Sequence, residues 1–178
     1  MNILQVCSKS PYPPHDGGSL ASYSLLRSFS RLGHTVTLLT MITPKHSLNQ
    51  HEINELSVMV RLFTVEVDTT INHFRLLFNF VFSRLPYNAE RFISPAFDNV
   101  LSLTLQNAAF EIVQLEGLYL MPYVSTIRKY SQARIVLRAH NVEHEIWSRI
   151  AEQETSLIKK FYFKFQTQVG GHFVLHTS

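Results

Sequence analysis

The chain has 178 residues, 46% of them hydrophobic and 16% charged, with a formal net charge of +3. That length and apolar content suit one globular domain with a real core and exclude a disordered chain. The basic excess is small and scattered, without zinc-finger spacing, an RNP-like motif or a dense Lys/Arg run, which argues against a nucleic-acid partner.

Cys7 is the only cysteine and falls in an apolar run, so no internal disulfide can form and a small buried residue is expected. A reducing compartment fits, and a cytoplasmic location is expected. The amino terminus lacks a charged region followed by an apolar stretch, so no signal peptide is expected. No run approaches the roughly 18 apolar residues of a membrane span.

Residues 1–31, MNILQVCSKSPYPPHDGGSLASYSLLRSFSR, open with a short apolar strand around Ile3, Leu4, Val6 and Cys7. A turn-rich loop, Pro11 to Gly18, leads into a helix with Leu20, Tyr23, Leu26 and Phe29 at apolar spacing. Strand, glycine loop and helix in that order form a device for holding an anion. Gly17 and Gly18 let backbone approach a ligand, and the helix end offers free N–H groups and a positive dipole. The plainer alternative is a flexible loop with two turn glycines.

Gly33 is placed as the left-handed residue just past this helix. Thr35 to Met41 predicts a second strand buried on both faces, and 42–50 a polar loop with Pro44. A helical turn over 51–57 then precedes a third strand, Val58 to Val67. Residues 71–85, INHFRLLFNFVFSRL, carry apolar groups on nearly every helical face. A buried helix is the favoured reading, and a patch touching lipid or a lipid-linked acceptor is the other.

Ser94-Pro95 starts a helix that runs to about Asn107. Glu111 to Leu115 predicts a fourth strand, 119–130 a helix with Pro122 near its start, and Ala133 to Ala139 a fifth strand. Strands alternating with helices imply βαβ units and a mainly parallel α/β sheet with right-handed crossovers. A long helix is expected from Glu145 to about Gln168, ending in a basic, aromatic stretch. That stretch meets an anionic membrane or a second domain, or, more commonly, packs on the sheet. Residues 172–176 suit a last short strand.

Ligands collect outside the carboxyl ends of strands in open α/β sheets. Glu116 stands there, either to bind a substrate hydroxyl or to cap the next helix. His140-Asn141-Val142-Glu143-His144 follows the fifth strand directly. His140 there can donate to a substrate oxygen or carry a proton, and Asn141 can cap a helix; a polar corner without chemistry is the alternative. The histidines flank a turn and lack HExxH order, so no metal is expected.

Together MNILQV, PYPPHDGG, RLGHTVTLLT, EIVQLEG, RAHNVEHEIW and FVLHTS resemble the amino-terminal domain of the family-4 glycosyltransferases. These are retaining enzymes of the GT-B fold. The resemblance spans essentially residues 1–178 and implies a Rossmann-like three-layer sandwich, the amino-terminal, acceptor-side half of that fold. It implies transfer of a sugar from a nucleotide-sugar donor to a glycan or lipid-linked acceptor, with no metal and no other cofactor. Gly17 and Gly18 would lie against the donor diphosphate or sugar, and His140 would help stabilise the transition state. The acceptor would sit near Asp16, Glu116, Tyr119 and Asn141. The position of Glu116 is often histidine in such proteins.

Nothing in the sequence corresponds to the family's carboxy-terminal nucleotide-binding domain, so the chain alone is expected to have no turnover. Peripheral contact with the inner face of the membrane fits a lipid-linked acceptor. Among rivals, a nicotinamide-dependent reductase would show G-x-G-x-x-G and an acidic end to the second strand, where this chain has HDGGSL and Thr40-Met41. A non-catalytic binding or interaction module is the stronger alternative, since a fold does not dictate function.

Overall fold

The computed structural model describes residues 1–70 and 90–139, and all that follows refers to these. The expected helices over 71–85 and 145–168, the His140 corner and the strand over 172–176 lie outside the described residues. One unit, Met1–Thr70 with Arg91–Arg138, contains nearly all of what is described.

In chain order the elements are β1 (Asn2–Cys7), α1 (Gly17–Arg31), β2 (Thr35–Ile42), α2 (Gln50–Met59) and β3 (Arg61–Glu66). After these come α3 (Pro95–Asn107), β4 (Ile112–Glu116), a 3-10 helix (Leu118–Tyr123), α4 (Val124–Tyr130) and β5 (Arg134–Arg138). The five strands form one sheet in the order β3-β2-β1-β4-β5, every pair parallel. This is a Rossmann-like α/β fold. The chain winds outward from β1 to β3, then returns across the sheet to β4. The strand order therefore reverses between β1 and β4, where open parallel sheets leave a crevice at their carboxyl edge.

Alternating side chains feed two apolar layers. Leu4, Val6, Val113 and Leu115 face α3, the 3-10 helix and α4, where Phe97, Leu101 and Ile127 complete the larger core. Cys7, Val36 and Leu38 face α1 and α2, meeting Leu26 and Leu56. The central strands β1 and β2 are buried on both faces, as their largely apolar runs imply.

Several local signals act as the sequence predicts. Gly33 has φ +77° just past α1. Its N–H donates to Ser30 O at 3.0 Å while that of His34 donates to Phe29 O at 3.1 Å, a Schellman closure. Ser94 caps α3, accepting from Phe97 N at 3.3 Å, with Pro95 at the first helical position.

Three expectations need correction. Of the apolar stripe expected on α1, Leu26 is buried and Tyr23 and Phe29 pack against the core, but Leu20 is 54% exposed, and Ser19 and Ser22 face inward in its place. The reason lies in the sheet, which is polar beneath the first turns of α1. Val58 does not begin a strand but sits on α2, 87% exposed. Asn49 and Glu52 start that helix with a reciprocal capping box, Asn49 Oδ1 accepting from Glu52 N at 2.9 Å and Glu52 Oε2 from Asn49 N at 2.8 Å. Finally, the helix expected over 119–130 is not one element: a 3-10 helix holding Pro122 precedes α4.

Tyr123 ties that 3-10 helix to the start of α3. Its hydroxyl accepts from Ser94 N at 2.8 Å and donates to Phe92 O at 2.7 Å, and burial pushes its pKa up to about 12. Tyr123→Phe leaves both backbone groups without this partner and is expected to cost about 1–3 kcal/mol in chemical denaturation. An unchanged midpoint would show that water replaces the hydroxyl.

Candidate functional site at the carboxyl edge

The site is built where β1 and β4 end side by side, with Cys7 paired to Glu116 and Glu116 to Arg138 of β5. From β1 the chain passes through the proline-rich loop into α1. Asp16 is the N-cap: its Oδ1 accepts from Ser19 N at 2.8 Å, and Ser19 Oγ accepts from Asp16 N at 3.0 Å. A helix start leaves four N–H groups without intrahelical partners. The reciprocal cap takes those of Asp16 and Ser19, so Gly17 and Gly18 carry the two donors left over.

Gly17 is exposed, and a Cβ built on it meets no atom within 4 Å. Neither glycine has a positive φ. The fold imposes no steric demand for glycine at 17, whereas close approach of a ligand to the backbone would. Around this rim stands Lys9, which pairs with Asp16, and Lys9, His15 and Lys45 all lie within electrostatic reach of His46. Burial first, and Lys9 next, push the His46 pKa below its ordinary value. Lys9 and then the Ser19 amide hold the Asp16 carboxyl far below the usual carboxylate range.

Glu116 is turned inward, only 4% exposed. Ser22 Oγ donates to its Oε2 at 2.7 Å and Gln114 Nε2 to its Oε1 at 3.2 Å, while Arg138 Nη1 lies 3.7 Å from Oε1. Arg138 also donates to Ala21 O of α1 at 3.3 Å, and Gln5 Nε2 donates to Ser22 O at 3.1 Å. Of the two alternatives for Glu116, capping is not realised. The residue before the 3-10 helix is Gly117, which makes no side-chain cap bond. Burial, and then the Glu116 carboxylate, push the Cys7 thiol far up, so it is a buried, unreactive residue as expected.

Gly117 has φ +112° and ψ +152°, backbone that other residues avoid, and its N–H donates to Arg138 O at 3.0 Å. Tyr119 is half-buried beyond it, its ring stacked on Phe92 at 4.8 Å with 8° between planes. The structure thus brings Asp16, Gly17 and Gly18 together at the start of α1, with Glu116 tied to α1 through Ser22. Tyr119 stands after β4, and His140 and Asn141 lie outside the described residues.

Sequence reasoning passed over Gln5, Ser22, Gln114 and Arg138. A signal was present: Gln5 and Gln114 are polar residues within otherwise apolar strands, and the register sets them opposite each other. Among the described residues, no group of three or more His, Cys, Asp or Glu is placed to hold a metal. No described helix is long and apolar enough to cross a membrane.

No known family profile matches the sequence, and no curated protein matches it. Solved structures that match include the C-terminal domain of a hydrogenase from Pyrococcus furiosus, 12% identical with a TM-score of 0.47. The alignment covers 76% of this chain and 89% of that domain. A likeness so slight says nothing of function.

Gly117→Ala forces a Cβ into the glycine-only region and is expected to cost about 1–3 kcal/mol by denaturant titration. An unchanged stability would mean that the turn relaxes. The depressed Asp16 pKa stabilises the fold above the unfolded carboxylate value of about 3.9, and that contribution fades as pH falls through the folded value. Comparison with Asp16→Asn, which keeps a capping oxygen, is therefore expected to show a stability gap at neutral pH that closes progressively below about pH 4. A gap independent of pH would contradict it.

Proposed function

We propose that this chain is the amino-terminal, acceptor-side half of a retaining glycosyltransferase of the GT-B fold, which moves a sugar from a nucleotide-sugar to a glycan or lipid-linked acceptor. The observation that carries this reading is the pair of spare amides at Gly17 and Gly18. They stand at a helix start on the carboxyl edge, beside the point where strand order reverses. Two adjacent N–H groups, the positive end of the α1 dipole and a rim bearing Lys9, Lys45 and His46 suit a diphosphate.

On this reading the diphosphate of the donor rests on the Gly17 and Gly18 amides, which stabilise charge on the departing phosphate as the sugar bond breaks. His140 approaches the sugar and stabilises its developing positive charge, a role that rests on the resemblance alone. The acceptor lies against this half of the enzyme, near Asp16, Tyr119 and Asn141. Donor base and sugar are selected by the family's second domain. No metal or other cofactor enters the reaction. A cytoplasmic enzyme with peripheral membrane contact fits a lipid-linked acceptor.

Titration of the chain with a panel of nucleoside-diphosphate sugars is expected to show weak binding, at about millimolar strength, abolished by Gly18→Trp. No binding by the wild-type chain, or binding indifferent to that substitution, would contradict the reading. Either result would favour a non-catalytic interaction module.

A further inference from the structure

We propose that Glu116 is a positioning residue, one that holds the first turns of α1 against the carboxyl ends of β4 and β5 and so fixes the direction of the Gly17 and Gly18 amides. The consequence for phosphate binding rests on the function proposed above; the mechanical claim does not.

A carboxylate buried at a strand end is costly unless well-placed donors surround it. Here two donors and a cation come from different elements: Ser22 from α1 donates at 2.7 Å, Gln114 from β4 itself donates at 3.2 Å, and Arg138 from β5 forms an ion pair at 3.7 Å. Among the described residues, the hydrogen bonds from the strands to α1 gather in one place. Ser22 Oγ to Glu116, Arg138 Nη1 to Ala21 O, and Gln5 Nε2 to Ser22 O all engage residues 21 and 22. Lower down, α1 rests on the sheet through Leu26 among apolar side chains. Apolar contacts fix distance but tolerate small rotations, whereas hydrogen bonds also fix direction.

Ala21 and Ser22 stand four residues after Gly17 and Gly18, one helical turn below them. Ser22 Oγ lies 2.7 Å from Glu116 Oε2 and 3.0 Å from Gly18 O, so its single proton faces the carboxylate and the first turn of α1 together and is given to one acceptor at a time. Rotation of the first turn of α1 would carry this hydroxyl away from the carboxylate. The inward-facing Ser22, which an apolar stripe would not supply, serves this contact.

Amide hydrogen exchange on the full chain, compared among wild type, Glu116→Gln and Ser22→Ala, tests the claim. Both variants are expected to raise exchange of the Leu20 to Tyr23 amides about tenfold while leaving Leu26 to Arg31 unchanged. A uniform rise along α1, or no change in either variant, would overturn it. Should Glu116→Gln fail to fold, Ser22→Ala, which removes one hydroxyl, decides alone. In parallel, inorganic pyrophosphate is titrated while the Gly17 and Gly18 amide resonances are followed. Affinity is expected to fall about fivefold or more in both variants. Wild-type amides that ignore pyrophosphate would overturn the phosphate reading, and the exchange pattern would still decide the positioning role of Glu116.

Discussion

The carboxylate of Glu116, buried between a helix and two strand ends, is the constraint on which the carboxyl edge depends. Its oxygens face Ser22, Gln114 and Arg138, and Arg138 reaches on to the α1 backbone. These contacts cross the point where strand order reverses, between β1 and β4. They therefore join the outward-wound half of the sheet to the returning half. Apolar layers hold the sheet together on both faces, but this polar patch decides how the glycine-bearing end of α1 is presented.

The functional consequence follows from counting donors. A helix start offers four spare amides, and the reciprocal cap of Asp16 and Ser19 takes two. The remaining two belong to glycines, at a rim where Lys9, Lys45 and His46 are gathered. Asp16 brings a negative charge to the same place, but its pairing with Lys9 offsets it. An anion with two or more oxygens is the ligand this arrangement suits, and a nucleotide-sugar diphosphate is the one proposed.

Much of the fold was legible because local chemistry and tertiary structure agree. The runs Thr35 to Met41 and Glu111 to Leu115 are rich in apolar and β-branched residues because internal parallel strands are covered on both faces. Gly33 and Ser94-Pro95 mark helix ends through backbone effects that need no partner from elsewhere. The misreadings arise where the tertiary surroundings are polar. Leu20 fits an apolar stripe on α1, yet Ser19 and Ser22 face inward because Gln5 and Glu116 lie beneath them. Val58 reads as a strand residue by type, but the capping box at Asn49 and Glu52 carries a helix through it. Gln5, Gln114, Ser22 and Arg138 are far apart in sequence, and only the register of β1, β4 and β5 makes them neighbours. The glycine pair was visible in the sequence; the network behind it was not.

The most direct measurement is a double-mutant cycle on Ser22→Ala and Glu116→Gln, with stability read by denaturant unfolding. If the carboxylate ties α1 to the strand ends through that hydroxyl, the two losses overlap. The coupling energy is then expected at about 1 kcal/mol or more. Strictly additive losses would mean that the two residues act independently and would contradict the account.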